Sequence, residues 1–539
     1  MKKIGLLLAF CAVMSSVWAI PARKGGIVRV QPDGSEVTVY QHGDEHFHWL
    51  TNEDGEWLRQ DEDGFFRVIE ALNQTEIEER RMASPKRVMH KEVPLNIATR
   101  GLIILVNFKD VAFTTPKGEL DSALMGVNYT RDYTYKRYNQ TYHVTSEGSA
   151  RQYFYDCSMG QYNPQFDVVG PVTLAQNMVN YGGNNSAGQD KNPEQMVYEA
   201  CKLVDDSVDF SLYDNDKDGV ADFVYIFYAG YGEADGGGAS TIWPHQYYLS
   251  QYRYLKLDNV EIDRYACSNE LDSHTKHHTG IGTFCHEFSH VLGLPDLYTT
   301  DGSTHKTWGE WSILDYGPYS NEGNTPPAYS AYERFFMGWL TPTLIVDSAN
   351  ITLNELNSSN TALLISENDK HNLIGNDPDT TCFYMLENRQ QIGWDKYLPG
   401  HGLLMTKVTF NHGKWVRNTV NDQANNMGVD LIEADGETPQ AGVKNGYLGK
   451  PEDLFPAGAT EYLAIENHSI EEIVEQDSVI YFKYKGGVEL TDIENVFDNE
   501  VIIAIYDILG QKQSTTDLIA LPRGTYILLT SSGTKKIIR

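Results

Sequence analysis

The sequence predicts a multidomain protein of mixed α+β class. Three observations carry this. The chain has 539 residues, more than one ordinary domain holds. From residue 100 to about 340, unbroken apolar runs of strand length alternate with helically spaced segments. From 343 to 485 the pattern changes to short β-type runs separated by turns.

The elements follow in chain order. Residues 1–19 open on two lysines, run apolar from Ile4 to Val17 and end on Ala19, which suits the position before a cut. This reads as a secretory signal peptide, too short to span a bilayer. Cys11 follows Phe10, where a lipid-bearing cysteine wants a small residue, so lipidation is not expected. No later apolar run reaches about 18 residues, so no transmembrane segment is expected. Residues 20–99 form a separate unit. Its first part alternates short β-type runs with the turns PDG, EDG and EDG, which predicts a small antiparallel sheet. Its charged end, "NQTEIEERRMASPKRVMHKE", reads as helix or linker with basic points for cutting.

Residues 100–342 read as one α+β domain. "GLIILVNF" and "DFVYIFYAG" are continuous apolar runs, the mark of strands buried on both faces. "SARQYFYDCSMGQY" and "NPEQMVYEACKLVDDS" have helical spacing, the second behind a cap-like Asn-Pro. Residues 343–485, with "TLIVDS", "TALLISE", "CFYMLENRQ" and "HGLLMTKVTF", predict an all-β, sandwich-like domain. Residues 486–539 predict a small β-module with a basic end.

Composition narrows the function. There are 74 acidic against 43 basic residues, a formal charge of −31. That argues against nucleic acid, whose phosphates need a basic face, and against anionic lipid. After signal removal five cysteines remain, an odd and sparse set that gives no disulfide framework, though one or two bridges would fit. No P-loop and no G-x-S-x-G motif is present.

The chemistry concentrates in "HEFSHVLGLPD", residues 286–296. On a helix His286 and His290 lie one turn apart on one face, where both imidazoles can hold one zinc ion. Glu287 sits beside the first ligand and could act as general base without ligating metal. Gly293 would end the helix in a left-handed turn and Pro295 forbids its continuation, so the chain can turn back and present Asp296 as third ligand. Asp315 and Glu333 compete for that role, because a glutamate on a second helix is another way to complete such a site. A second signal is "DNDKDGVAD": Asp214, Asp216, Asp218 and Asp222, with the Val220 carbonyl, suit calcium. It is not a full EF-hand loop, because the twelfth position is Tyr225. A third is "EWSILDYGPYS", a tight turn where Leu314 could floor a metal site and Tyr316 or Tyr319 could donate to an oxyanion. His46, His48, His245, His274, His277 and His278 read as ordinary surface or core residues.

"HEFSHVLGLPDLY", the preceding "IWPH", and the following "WSILDYG" and "AYSAYERFFMGWL" resemble the immune inhibitor A-type secreted metalloproteases. "FYMLENRQQIGWDKYLPGHGLLM" is similar to the β-domain that follows their catalytic domain. The resemblance covers roughly residues 100–460. It implies a metzincin-like zinc endopeptidase with a mixed sheet and an active-site helix, an N-terminal propeptide and structural calcium. Leu314 departs from the methionine usual in the turn. "VIIAIYDILGQK" and "LPRGTYILL" resemble the sorting domains of the type IX secretion route. The expectation is a secreted or cell-surface Zn2+-dependent endopeptidase that also uses Ca2+, acts on protein or peptide substrates and meets secretion machinery through its C-terminal module. Residues 20–99 would be its propeptide. That segment has no cysteine, so latency would rest on steric cover or an acidic side chain such as Asp44 or Glu45. The alternative is a non-catalytic surface adhesin or binding protein on a protease-like frame.

Overall fold

The computed structural model describes residues 20–77 except 62 and 74, and residues 100–488 except 138, 186, 187, 304 and 438–447. Of the C-terminal stretch it describes 502–507, 510–516, 521, 525–530 and 533–538. The signal-peptide reading and most of the charged stretch before residue 100 lie outside these residues.

The turn signals of the N-terminal unit fold it into a five-stranded antiparallel meander in sequential order. The apolar run after residue 100 becomes the strand Arg100–Asn107, and the second such run becomes Val224–Tyr231. They pair in parallel at the centre of a five-stranded sheet. Across that sheet the order is His245–Tyr248, Arg264–Leu271, Val224–Tyr231, Arg100–Asn107, Gln165–Thr173. Only the edge strand His245–Tyr248 runs antiparallel.

Strand side chains alternate faces, so this sheet feeds two cores. Ile103, Leu105, Tyr225 and Phe227 point to one, and Leu102, Ile104, Val106, Val224 and Ile226 to the other. The second core is closed by the helix Pro193–Val204 through Met196, Val197, Ala200 and Cys201. The first holds the helix Ala150–Cys157, capped by Ser149, and the helix Gly282–Val291 that carries the histidines.

Residues 343–485 supply a five-stranded and a three-stranded sheet that share a core of Leu353, Ile365, Leu386, Met405, Ile473 and Phe482. The region is not wholly β: short helices form at Leu356–Ser359 and His412–Val416. Their sequences carry local caps, Glu355 and Asn411, that favour a turn of helix within a β context. The first hydrophobic core does not stop at residue 342. Phe383, Met385, Leu404, Val408 and Val429 pack in the same cluster as Phe284, Phe288, Trp308 and Trp311. A buried ion network lies on the same seam. Arg389 pairs with Glu387 and Asp395, and Asp395 also accepts from the backbone N–H of Ala328. The C-terminal residues form a three-stranded antiparallel sheet. No helix among the described residues is long and apolar enough to cross a membrane. All five cysteines among the described residues are free, so neither of the bridges allowed above forms.

Candidate metal centre and active site

The helix Gly282–Val291 starts against the turn at residues 317–319. A Cβ on Gly282 would meet the Pro318 carbonyl at 1.9 Å, so only glycine permits this approach. The helix ends at Gly293, whose φ of 94° is the left-handed conformation its position called for. The chain then doubles back and is held by Leu297 N–H donating to Leu314 O at 2.8 Å.

This path brings three donor atoms together in a buried pocket. His286 Nε2 and His290 Nε2 are 3.1 Å apart. Each lies 3.3 Å from Asp296 Oδ1. Tetrahedral zinc with bonds of 2.0–2.1 Å needs its ligand atoms about 3.3–3.4 Å apart, so the set fits that ion. Both rings are turned the right way for it. His286 Nδ1 donates to Ile313 O at 2.7 Å and His290 Nδ1 donates to Leu294 O at 2.9 Å, which leaves each Nε2 lone pair toward the centre. Asp296 Oδ1 is buried without a hydrogen bond. Burial works to raise the Asp296 carboxyl, but the two imidazoles beside it hold it well below the usual carboxylate value.

The competing carboxylates stand outside the donor group. Glu333 caps its own helix: Oε2 accepts from Ser330 N–H and Oε1 from Ser312 Oγ, each at 2.6 Å. Asp315 Oδ2 accepts from Thr307 Oγ1 at 2.6 Å and from Gly309 N–H at 2.9 Å. Leu314 is fully buried under the helix. His46, His48, His245, His274, His277 and His278 stand outside the donor group. His245, for instance, bonds Trp243 O at 2.7 Å and Tyr265 OH at 3.0 Å.

Glu287 is buried beside the group. Burial, then the charges of Asp296 and Glu45, push its carboxyl well above the usual value. Its Oε1 accepts from the backbone N–H of Ile20 at 3.1 Å, across 267 residues of sequence. The chain from Ile20 to Arg23 runs along the cleft from that point. Trp243 Nε1 donates to Ile20 O at 3.0 Å, Tyr319 OH to Pro21 O at 2.7 Å, and Arg23 N–H to Ala234 O at 2.8 Å. Tyr319, weighed above as an oxyanion donor, is thus engaged with this segment. Of the two acidic candidates, Asp44 Oδ1 accepts from His46 and Phe47 N–H in its own turn, while the charge of Glu45 reaches Glu287.

Residues 95–340 match the immune inhibitor A peptidase M6 catalytic domain. The match contains the whole donor group and Glu287. The chain is 26% identical over 254 residues to PrtV, a pre-pro-metalloprotease of Vibrio cholerae serotype O1, covering 42% of this chain. It is 26% identical over 274 residues to immune inhibitor A of Bacillus thuringiensis subsp. alesti, covering 44% of this chain. The aligned parts span 28% and 39% of those relatives. The chain is thus similar, over less than half its length, to metalloproteases.

Sequence reasoning missed several residues around the histidine motif. Asn418, 122 positions away, bonds Asp296 twice: Asp296 N–H donates to Oδ1 at 2.8 Å and Nδ2 donates to Asp296 Oδ2 at 2.5 Å. Nothing local marks Asn418; only the folded β-region brings it there. Trp243 was visible in "IWPH" but without a role. Tyr298, at the end of "LPDLY", is buried within the electrostatic reach of Asp296 and Glu287.

The acidic loop behaves differently at its two ends. Asp214, Asp216 and Asp218 can bring one oxygen each within 4.8 Å of one another. Val220 N–H donates to Asp218 Oδ1 at 3.0 Å, and Val220 pairs with Glu261. Asp222 stands outside that group. Its Oδ2 accepts from Asn215 N–H at 2.7 Å and Nδ2 at 2.6 Å, and Asn215 in turn bonds the backbone of Arg100.

Proposed function

We propose that this chain is a secreted zinc endopeptidase, made as a zymogen and stabilised by calcium. The observation that carries the reading is the buried convergence of His286, His290 and Asp296 with the Glu287 carboxylate beside it, at the head of a cleft that already holds a peptide segment. His286, His290 and Asp296 would hold zinc, which when bound polarises a scissile carbonyl and makes water more acidic. Glu287 takes the proton of the attacking water and passes it to the leaving amine. The Ile20 N–H on Glu287 Oε1 occupies the place of that amine. Asn418 holds Asp296 in position, and the backbone carbonyls of residues 294 and 313 fix the tautomers of the two imidazoles.

Zymogen character is supported by the same segment, since Ile20–Arg23 and substrate would compete for one cleft. Calcium would bind Asp214, Asp216 and Asp218, with the Val220 carbonyl, and Asp222 would act by holding Asn215. The C-terminal three-stranded module would address the chain to a type IX-like export route. The experiment is casein cleavage by the form freed of residues 20–99, with and without a zinc chelator. Cleavage that the chelator abolishes and zinc restores supports the reading; no cleavage by zinc-loaded protein refutes it.

A further inference from the structure

The segment Ile20–Arg23 lies in the cleft with the polarity of a leaving peptide. The amine released by hydrolysis belongs to the first residue after the cut bond, and Glu287 is the group that hands it a proton. Ile20 N–H sits on Glu287 Oε1, so Ile20 marks that first position and Arg23 the fourth. The carbonyls of Ile20 and Pro21 and the N–H of Arg23 are all bound by the region after residue 100. Any extended chain using those groups puts its fourth side chain where Arg23 lies.

That place is acidic and already braced. The Arg23 guanidinium pairs with Asp272 and with Glu322, and its Cζ lies 5.6 Å from the centre of the Tyr319 ring. Each carboxylate is anchored through one oxygen and offers the other. Asp272 Oδ1 accepts from the N–H groups of His274 at 2.9 Å and Thr275 at 2.7 Å, leaving Oδ2 for Arg23. Glu322 Oε1 accepts from Tyr135 OH, leaving Oε2. A third carboxylate, Asp235, is buried behind them with Oδ1 lacking a hydrogen bond. Once Arg23 leaves, three neighbouring acids lose the cation that the segment placed between them, which favours an incoming positive charge.

We propose that Asp272 and Glu322, backed by Asp235, form a subsite for a basic side chain on the fourth residue after the scissile bond. This rests on the peptidase reading. The two carboxylates span one planar guanidinium, so arginine is preferred over lysine. The test uses the full chain activated by proteolytic removal of residues 20–99 and a quenched peptide series with Arg, Lys, Ala or Glu at that position. The expected order of kcat/KM is Arg, Lys, Ala, Glu, with Arg over Ala by about ten- to a hundredfold, the range for a desolvated charged hydrogen bond. In Asp272→Asn and Glu322→Gln the ratio of Arg to Ala collapses toward unity. Binding is measured alongside by calorimetry with product-like peptides beginning Ile-Pro-Ala-Arg and Ile-Pro-Ala-Ala. Cleavage of all four peptides at equal rates, or equal affinity for the two ligands, overturns the subsite. Tighter binding of the arginine ligand with no cleavage of any peptide overturns the peptidase reading and leaves the subsite standing.

Discussion

Asn418→Gly removes the side chain that clasps Asp296 without disturbing the backbone. Asn418 has a φ of 52°, a left-handed conformation that glycine adopts freely and alanine does not. The substitution deletes the 2.5 Å bond to Asp296 Oδ2 and the 2.8 Å bond from its N–H. The first is a hydrogen bond to a buried carboxylate, worth about 1.5–3 kcal/mol. Spent on the geometry of a metal ligand, that corresponds to a loss of about 10–100-fold in zinc affinity, the range seen when groups behind a ligand are removed. The assay is zinc competition against a chromophoric chelator, with peptide cleavage followed as zinc is raised. Cleavage should fall at limiting zinc and recover at excess. An unchanged zinc affinity would refute the idea that Asn418 tunes the site through Asp296.

Four further outcomes are expected. Glu287→Gln should retain zinc by metal analysis while peptide cleavage drops by about two to four orders of magnitude. Asp296→Ala should lose tight zinc binding and cleavage, whereas Glu333→Ala should keep zinc and lose about 1–3 kcal/mol of stability in denaturant melts, because its serine partners are left unpaired; the reverse pattern would move the third ligand to the second helix. Calcium at a hundredfold excess over its Kd should add about 2.7 kcal/mol, read as a Tm rise of about 3 °C for a unit of this size, and Asp216→Asn with Asp218→Asn should remove the rise. A chain ending at residue 485 should remain in the cell while its recovered catalytic region still cleaves; normal export of that chain would make the C-terminal sheet a merely structural module.

Local pattern was enough wherever the physics is local. Residues 102–106 and 224–228 announce buried strands because both faces of the sheet are covered, so no polar alternation interrupts them. The spacing of His286 and His290, and the glycine and proline after them, dictate a helix, a left-handed stop and a return of the chain. Other features depend on contacts distant in sequence. The preference for Asp296 over Glu333 rests on contacts in space, since Ser312 and Ser330 hold both oxygens of Glu333. Asn418 and Ile20 reach the site across 122 and 267 positions, and no periodicity records such meetings. Asp222 continues an alternating acidic run, and only the fold shows that Asn215, inside the same run, bonds its Oδ2.

The core that runs from Phe284 and Trp308 into Phe383, Leu404 and Val429 has a bearing on inheritance. A recombined gene that joined residues 100–342 to a different downstream partner would expose one wall of that core. It would also strip Asp296 of Asn418 and leave Ala328 N–H without Asp395. Each loss falls on the loop that carries Asp296 or on the approach to the helix Ala331–Phe336. The two regions differ in architecture, yet their shared core makes them one unit of packing.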